Sequence, residues 1–224
     1  MKNIGLGVLI LLVLTVSACE INNDSADSTT SQKIESKGLY NDHLSVASIP
    51  SLDGHVNSWA QANTTADLMT VGIDGYVTYK SIVTFDTSQI PADATLTYAY
   101  LRLFSDEWYN CGGNLEDWYA GRNKLSVEIA GPLGFNYSYI ITGFDYFALA
   151  MGYGDTEPAF FYDAFLFYHQ EDGLNVHLGN LINRNGYTQI RLSVTSTVVP
   201  GCSIALKTGE TSPATQPALF VYWQ

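Results

Sequence analysis

The sequence predicts an all-β chain folded as an antiparallel β-sandwich, and three observations predict it. Apolar and polar residues alternate with a period of two over short runs. Those runs are rich in β-branched and aromatic residues, and Gly, Pro, Asn and Asp interrupt them at close intervals. No sustained helical period competes, and many short strands joined by polar turns bury their apolar faces best by packing sheet on sheet.

Strands are expected at His55–Trp59, Asp67–Val71, Lys80–Asp86, Thr95–Phe104, Lys124–Ala130, Thr188–Thr195, Ser203–Thr208 and Ala218–Trp223. The alternation is clearest along Leu96 to Leu103. One helix fits Leu174–Asn183, where Leu174, His177, Leu178 and Leu181 share a face. Gly179 weakens it by about 1 kcal/mol relative to alanine. Two stretches read as insertions between strands. Residues 105–123 form an aromatic and acidic loop around a Cys-Gly-Gly turn, and residues 135–167 are aromatic, glycine-rich and irregular.

The N-terminus has the zones of an export signal: Lys2, an apolar run from Ile4 to Val16, then Val16-Ser17-Ala18-Cys19. The apolar run is about 13 residues, short of the roughly 20 that span a bilayer as a helix. Its closing tetrapeptide is similar to a lipobox, with two small residues ahead of a cysteine whose sulfur can take a diacylglyceryl group. Residues 1–18 are therefore expected to be a lipoprotein signal peptide, with Cys19 lipidated and the chain joined to a membrane by its lipid. Glu20, where an aspartate would favour inner-membrane retention, points to the outer membrane or cell surface. Residues 19–38 are polar and have too few apolar groups to offset the entropy of ordering them. They read as a tether, and residues 39–224 as one β-sandwich domain.

The chain has 10 Lys+Arg against 22 Asp+Glu, a net charge of −12. Nucleic acid is excluded as a partner, because binding it requires a cationic surface that displaces counterions. Fifteen Tyr, ten Phe and four Trp suit strands, and they also suit a surface that stacks on sugar rings. With Cys19 lipidated, Cys111 and Cys202 remain as a pair in an oxidising compartment. A disulfide between them would be worth roughly 4 to 5 kcal/mol in the chain-entropy picture; the alternative is two separate thiols.

From Asp53 onward the sequence resembles a known family. Asp53-Gly54-His55-Val56 resembles its opening D-x-x-V strand, and Leu68-Met69-Thr70-Val71-Gly72 its L-x-V-G strand. Tyr79 to Asp86 resembles R-S-Y-L-R-F-D. Ser88-Gln89-Ile90-Pro91 through Leu101-Arg102-Leu103 follows S-x-I-P-x-G-A-T-I-x-x-A-x-L-R-L. Ile204 to Glu210 and Pro217 to Tyr222 resemble the closing I-x-F-x-S-x-E and P-x-L-x-V-x-Y. The family is the DNRLRE-domain family, which includes carbohydrate-binding module family 96 and disaggregatase-related repeats. The chain departs from it at Lys80, at Asp93 and in the two insertions. The resemblance implies a jelly-roll-like sandwich that binds polysaccharide or packs as an extracellular structural module.

Trp108, Tyr109, Trp118 and Tyr119 share the first insertion with Glu107, Glu116 and Asp117. Rings stack on the apolar face of a pyranose and carboxylates accept its hydroxyls, so Trp108, Tyr109, Trp118, Tyr119, Glu107 and Asp117 are the candidate glycan-binding residues. The other reading is that the rings bury the insertion against the sandwich. Asp53, Asp74, Asp86, Asp106 and Glu210 could offer oxygens to Ca2+, but no twelve-residue Ca2+ loop is present, and solvated or turn-capping carboxylates are the simpler reading. Glu210 is expected to make a structural hydrogen bond. His43, His55, His169 and His177 have no metal-ligand spacing, and no nucleophile elbow or phosphate loop is found. The expectation is a non-catalytic, surface-anchored glycan binder. The alternatives are a structural or adhesive envelope module and, less favoured, a polysaccharide lyase or hydrolase.

Overall fold

Every run that the alternation marks out forms a strand. The structure is a computed structural model, and it describes residues 42–109, 123–155, 157–158, 164–169, 176–196, 202–210 and 212–224. All of these belong to one unit, Lys37–Gln224. In chain order the first strands are β1 (His43–Ala47), β2 (Gly54–Asn57), β3 (Ala62–Asn63), β4 (Leu68–Asp74), β5 (Val77–Asp86), β6 (Leu96–Arg102) and β7 (Ser105–Tyr109). There follow β8 (Asn123–Ile129), β9 (Gly152–Asp155), β10 (Glu157–Pro158), β11 (Ala164–His169), β12 (Tyr187–Ser196), β13 (Ser203–Lys207) and β14 (Ala218–Trp223).

Two antiparallel sheets result. The first runs β1-β14-β6-β11-β10, and the second β7-β13-β4-β5-β12-β8-β9 with β2 and β3 joined to it through β5. One core cluster draws on both. Leu44, Ala99, Leu101, Leu219 and Val221 come from the first sheet, and Met69, Val71, Val83, Phe85, Val127, Ile190, Leu192 and Ile204 from the second. Side chains one residue apart on a strand point to opposite faces, so these inward sets define the outward ones: Tyr98, Tyr100 and Arg102 on β6, Phe220 and Tyr222 on β14, Gln189 and Arg191 on β12. The Ile90-Pro91 turn behaves as expected. Ile90 is buried, and the Ala94 N–H donates to the Pro91 carbonyl at 3.1 Å, which delivers the chain into β6.

Three sequence expectations need correction. Residues 105–109 are not loop: they form β7, which pairs with β13 at the edge of the second sheet. Residues 164–167, placed in the irregular insertion at 135–167, belong instead to β11, which pairs with β6 inside the first sheet. Of the expected helix at Leu174–Asn183, the described residues from 176 on form a single turn, Val176–Gly179. Past Gly179 the chain tightens, with Leu181 and Ile182 N–H groups donating to the carbonyls of Leu178 and Gly179. Of the expected stripe, Leu178 enters the core and Leu181 packs against it, and Ile182, outside the stripe, is buried there too.

Gly72 closes the family-like L-x-V-G strand and shows why glycine stands there. Its φ is +110°, and a Cβ would lie 2.2 Å from the Cys202 carbonyl oxygen across the β4–β13 ladder. Gly72→Ala should therefore lower stability by roughly 2 to 4 kcal/mol, read as a lower urea midpoint with unchanged far-UV circular dichroism at low denaturant.

Candidate functional site

The described residues include only part of the site read from the sequence. Glu107 is exposed on β7, and Trp108 and Tyr109 lie on the same strand opposite Ile204 and Ser203. The side chains of Trp108 and Tyr109, together with Cys19, Cys111, Glu116, Asp117, Trp118 and Tyr119, lie outside the described residues. Cys202 is buried in the main core.

A different set of aromatic residues is brought together on the outer face of the first sheet. The registers place Tyr98 opposite Tyr222, Tyr100 opposite Phe220, and His43 opposite Tyr222. Their rings stack across the strands. Tyr98 and Tyr222 are 4.2 Å apart at 15°, Tyr100 and Phe220 4.5 Å at 6°, and His43 and Tyr222 5.4 Å at 18°. Arg102 ends the row, with its guanidinium 5.4 Å from the rings of both Phe104 and Phe220. Its Nε is buried and has no hydrogen-bond partner among the described residues. Tyr98, Tyr100, Arg102, Phe220 and Tyr222 are all half-buried. The rings stack on one another across the strands, and a guanidinium stands at one end. Such a strip can accept and donate hydrogen bonds along its length while excluding water between rings.

The outer face of the second sheet is closed instead. Residues 131–151 run across it as a strap with 3₁₀ turns at Phe135–Tyr137 and Gly143–Tyr146. Ile141 packs on Val56 and Ile82 beneath it, with Tyr146 against the same cluster. Gln189 and Arg191 of β12 are only 2 % and 3 % exposed, although their positions alternate away from the main core. Gln189 receives the Phe135 N–H at 3.0 Å and donates to Tyr139 O and to Thr84 Oγ1, both at 3.1 Å.

Arg191 donates to the Glu128 carboxylate and to the carbonyls of Asp145, Tyr146 and Ala148, the last at 2.8 Å, and its guanidinium lies 4.4 Å from the Phe135 ring centre. Lys80 reaches the same Glu128 at 3.4 Å. Burial, and then the Arg191 charge, hold the Lys80 ammonium below the ordinary lysine range, while Glu128 pulls it back up. Asp145 caps its own turn by accepting the Thr142 N–H, and desolvation raises its carboxyl above the usual value.

The acids weighed as Ca2+ ligands are dispersed. Asp86 accepts the N–H and hydroxyl of Ser88, Asp106 pairs with Lys207 at 2.6 Å, and Asp74 and Glu210 are exposed. Among the described residues no group of three or more His, Cys, Asp or Glu converges. His55 is turned inward, where its Nδ1 accepts the Thr70 N–H at 3.2 Å, and burial lowers its pKa. Asp53 is a second buried structural carboxylate beside Asp145, and Glu210 is its exposed neighbour. Asp53 accepts the Ser48 hydroxyl at 2.5 Å and the Thr84 N–H at 3.1 Å, and the Gly209 N–H also donates to it. It thereby ties the β1–β2 connection, β5 and the β13–β14 connection together. Desolvation outweighs these donors and raises its pKa to about 7, with the nearby Glu210 charge adding to the rise.

No protein-family profile and no curated protein matches the sequence.

Two predictions come from this geometry. Arg191→Ala orphans three strap carbonyls and leaves Glu128 without its closest cation, so stability should fall by roughly 3 to 5 kcal/mol. Limited proteolysis should then cut within 136–150 before the rest of the chain. For Asp53, the folded state holds the proton more tightly than the unfolded chain does. The stability this group contributes is complete below about pH 4 and declines as pH rises toward 7, by roughly 4 kcal/mol in all. Above pH 7 it is level. Asp53→Asn should remove that slope, seen as a parent-minus-variant difference in unfolding free energy that falls between pH 4 and 7.

Proposed function

We propose that the protein is a lipid-anchored cell-envelope protein whose β-sandwich binds a glycan without turning it over, and that the outer face of the first sheet is where the glycan lies. The observation that carries this reading is the stacked row on that face. The Tyr98–Tyr222 and Tyr100–Phe220 pairs, with His43 at one flank and Arg102 at one end, form an amphipathic strip on a rigid sheet. The phenol and guanidinium groups of the strip can hydrogen-bond sugar hydroxyls, and the rings between them offer apolar surface to the sugar. The kinship to DNRLRE domains belongs to the same proposal. It is supported by the demanding positions that family-like residues occupy: Asp53 buried with three donors, Gly72 at positive φ, and Arg102 between two rings. A Cys111–Cys202 bridge is also part of it, resting on these two being the cysteines left once Cys19 is lipidated. Export and lipidation at Cys19 rest on the lipobox-like tetrapeptide.

A glycan array and polysaccharide pull-down with the chain from residue 19 onward test the binding. Retention should fall about fivefold or more in Tyr100→Ala and Tyr222→Ala, each ring contact being worth of order 1 kcal/mol once a ligand depends on it. A parallel Trp108→Ala/Trp118→Ala variant separates this face from residues 105–123. Retention unchanged in Tyr100→Ala and Tyr222→Ala, or no polysaccharide retained by the parent, defeats the assignment. For the anchor, Cys19→Ser should abolish incorporation of a labelled fatty acid and move the protein out of the membrane fraction.

A further inference from the structure

The strap over the second sheet has an outer side that folding does not explain. Leu133, Tyr137, Phe144, Phe147, Leu149 and Met151 are between 60 % and 93 % exposed, within a stretch of fewer than twenty residues. Monomeric domains rarely leave so many large apolar side chains together in water. The strap is also poor in charge. Residues 131–151 contain no Lys, Arg or Glu, and their one acid, Asp145, is buried beneath the strap, in a chain whose net charge is −12.

Nor is the display a consequence of slack. Arg191 and Gln189 fix the strap through its backbone, and the strained positions gather here: among the described residues, the non-glycine positions with positive φ are Asn136 and Tyr137 on the strap and Ala60 beside it. Ala60 abuts Gly143 so closely that a Cβ there would sit 1.8 Å from its carbonyl oxygen. Such strain persists where the surroundings over-determine it, as at contact surfaces.

We propose that this outer face is a bilayer-contact surface, seated in the headgroup layer of the membrane that holds the lipid anchor. Three observations choose a membrane over other occupants. The exposed set mixes Phe, Tyr, Leu and Met, the composition of interfacial anchors, which place rings at the headgroups and aliphatic tips among the chains. Its exposed residues include no acid, so the strap itself sets no negative charge against anionic headgroups. Finally, Cys19 precedes the first described residue by a segment, 20–41, that spans at most about 75 Å, which keeps the domain at high effective concentration beside the bilayer. This last point rests on the lipoprotein reading; the first two do not.

The test uses the full chain and its Cys19→Ser form, each with and without Phe144→Ser/Phe147→Ser/Leu149→Ser, in flotation with vesicles of phosphatidylcholine and of phosphatidylcholine containing phosphatidylglycerol. The substituted side chains are exposed, so folding should be unaffected, which the thermal midpoint verifies. The Cys19→Ser form should still float with phosphatidylcholine vesicles, and the triple substitution should lower its partitioning at least about tenfold. Hydrogen exchange of the 136–151 peptides should slow on vesicles by a similar factor. Equal flotation with and without the triple substitution overturns the proposal. So does sedimentation showing a dimer that the triple substitution dissolves, which gives the face to a second copy, or loss of polysaccharide retention in the triple variant, which gives it to the glycan. If the strap drives flotation but the parent and Cys19→Ser chains partition alike, the anchor reading fails and the strap assignment stands.

Discussion

The Arg191 guanidinium, buried between β12 and the strap, is the contact on which the outer architecture of the second sheet turns. A guanidinium taken out of water needs most of its donors satisfied and its charge balanced, and an uncompensated one is strongly destabilising. Glu128 supplies the charge, and the carbonyls of Asp145, Tyr146 and Ala148 accept the remaining hydrogens. Because its strap partners are backbone atoms, Arg191 dictates the path of the strap and leaves most of its side chains unassigned. Gln189 does the same one pleat away, through the Phe135 N–H and the Tyr139 carbonyl. The strap can therefore be rigid and still carry an outer surface that owes nothing to folding.

The two sheets share one core but differ on their far sides. The second sheet is sealed by the strap, so β12 is apolar inward and a hydrogen-bonded polar layer outward. The first sheet has a cross-strand aromatic row that is half-buried, held by registers that set Tyr98 against Tyr222 and Tyr100 against Phe220. Stacking of these pairs stabilises the β6–β14 ladder, so the same rings join two strands and form the strip proposed to bind. Substituting one ring touches both roles, which is why the fold must be measured alongside retention.

All the strands that sequence alternation announced are present, because period two survives wherever one face meets the core. What the sequence conceals is register and covering. Phe220 and Tyr222 are legible as outward positions of a strand, but nothing in the sequence says which β6 residues they oppose. Arg191 reads as a solvated charge on an alternating strand, and its burial depends on a segment more than forty residues away. The Ala164–His169 run is nearly all apolar, without alternation, and sits in irregular sequence, so β11 has no local signature. Ser105 and Asp106, polar residues on an edge strand, disguise β7 as loop. The glycan residues chosen from the sequence were chosen by composition, and the row at Tyr98, Tyr100, Phe220 and Tyr222 was missed because its members are adjacent only across strands. The signal that could have found it is the tyrosine pair at i and i+2 in β6, matched by the Phe-x-Tyr of β14.

The order β1-β14-β6 sets a condition on how the molecule is made. The strand that is last in the chain lies between one of the earliest strands and a middle one, so the first sheet has a gap at its centre until residues 218–223 are available. Pairings this distant in sequence close slowly, since the loop entropy is lost before the contacts form. Residues 218–223 must therefore be made before the sandwich can shut. Until that pairing forms, the first sheet stays open and the chain stays threadable.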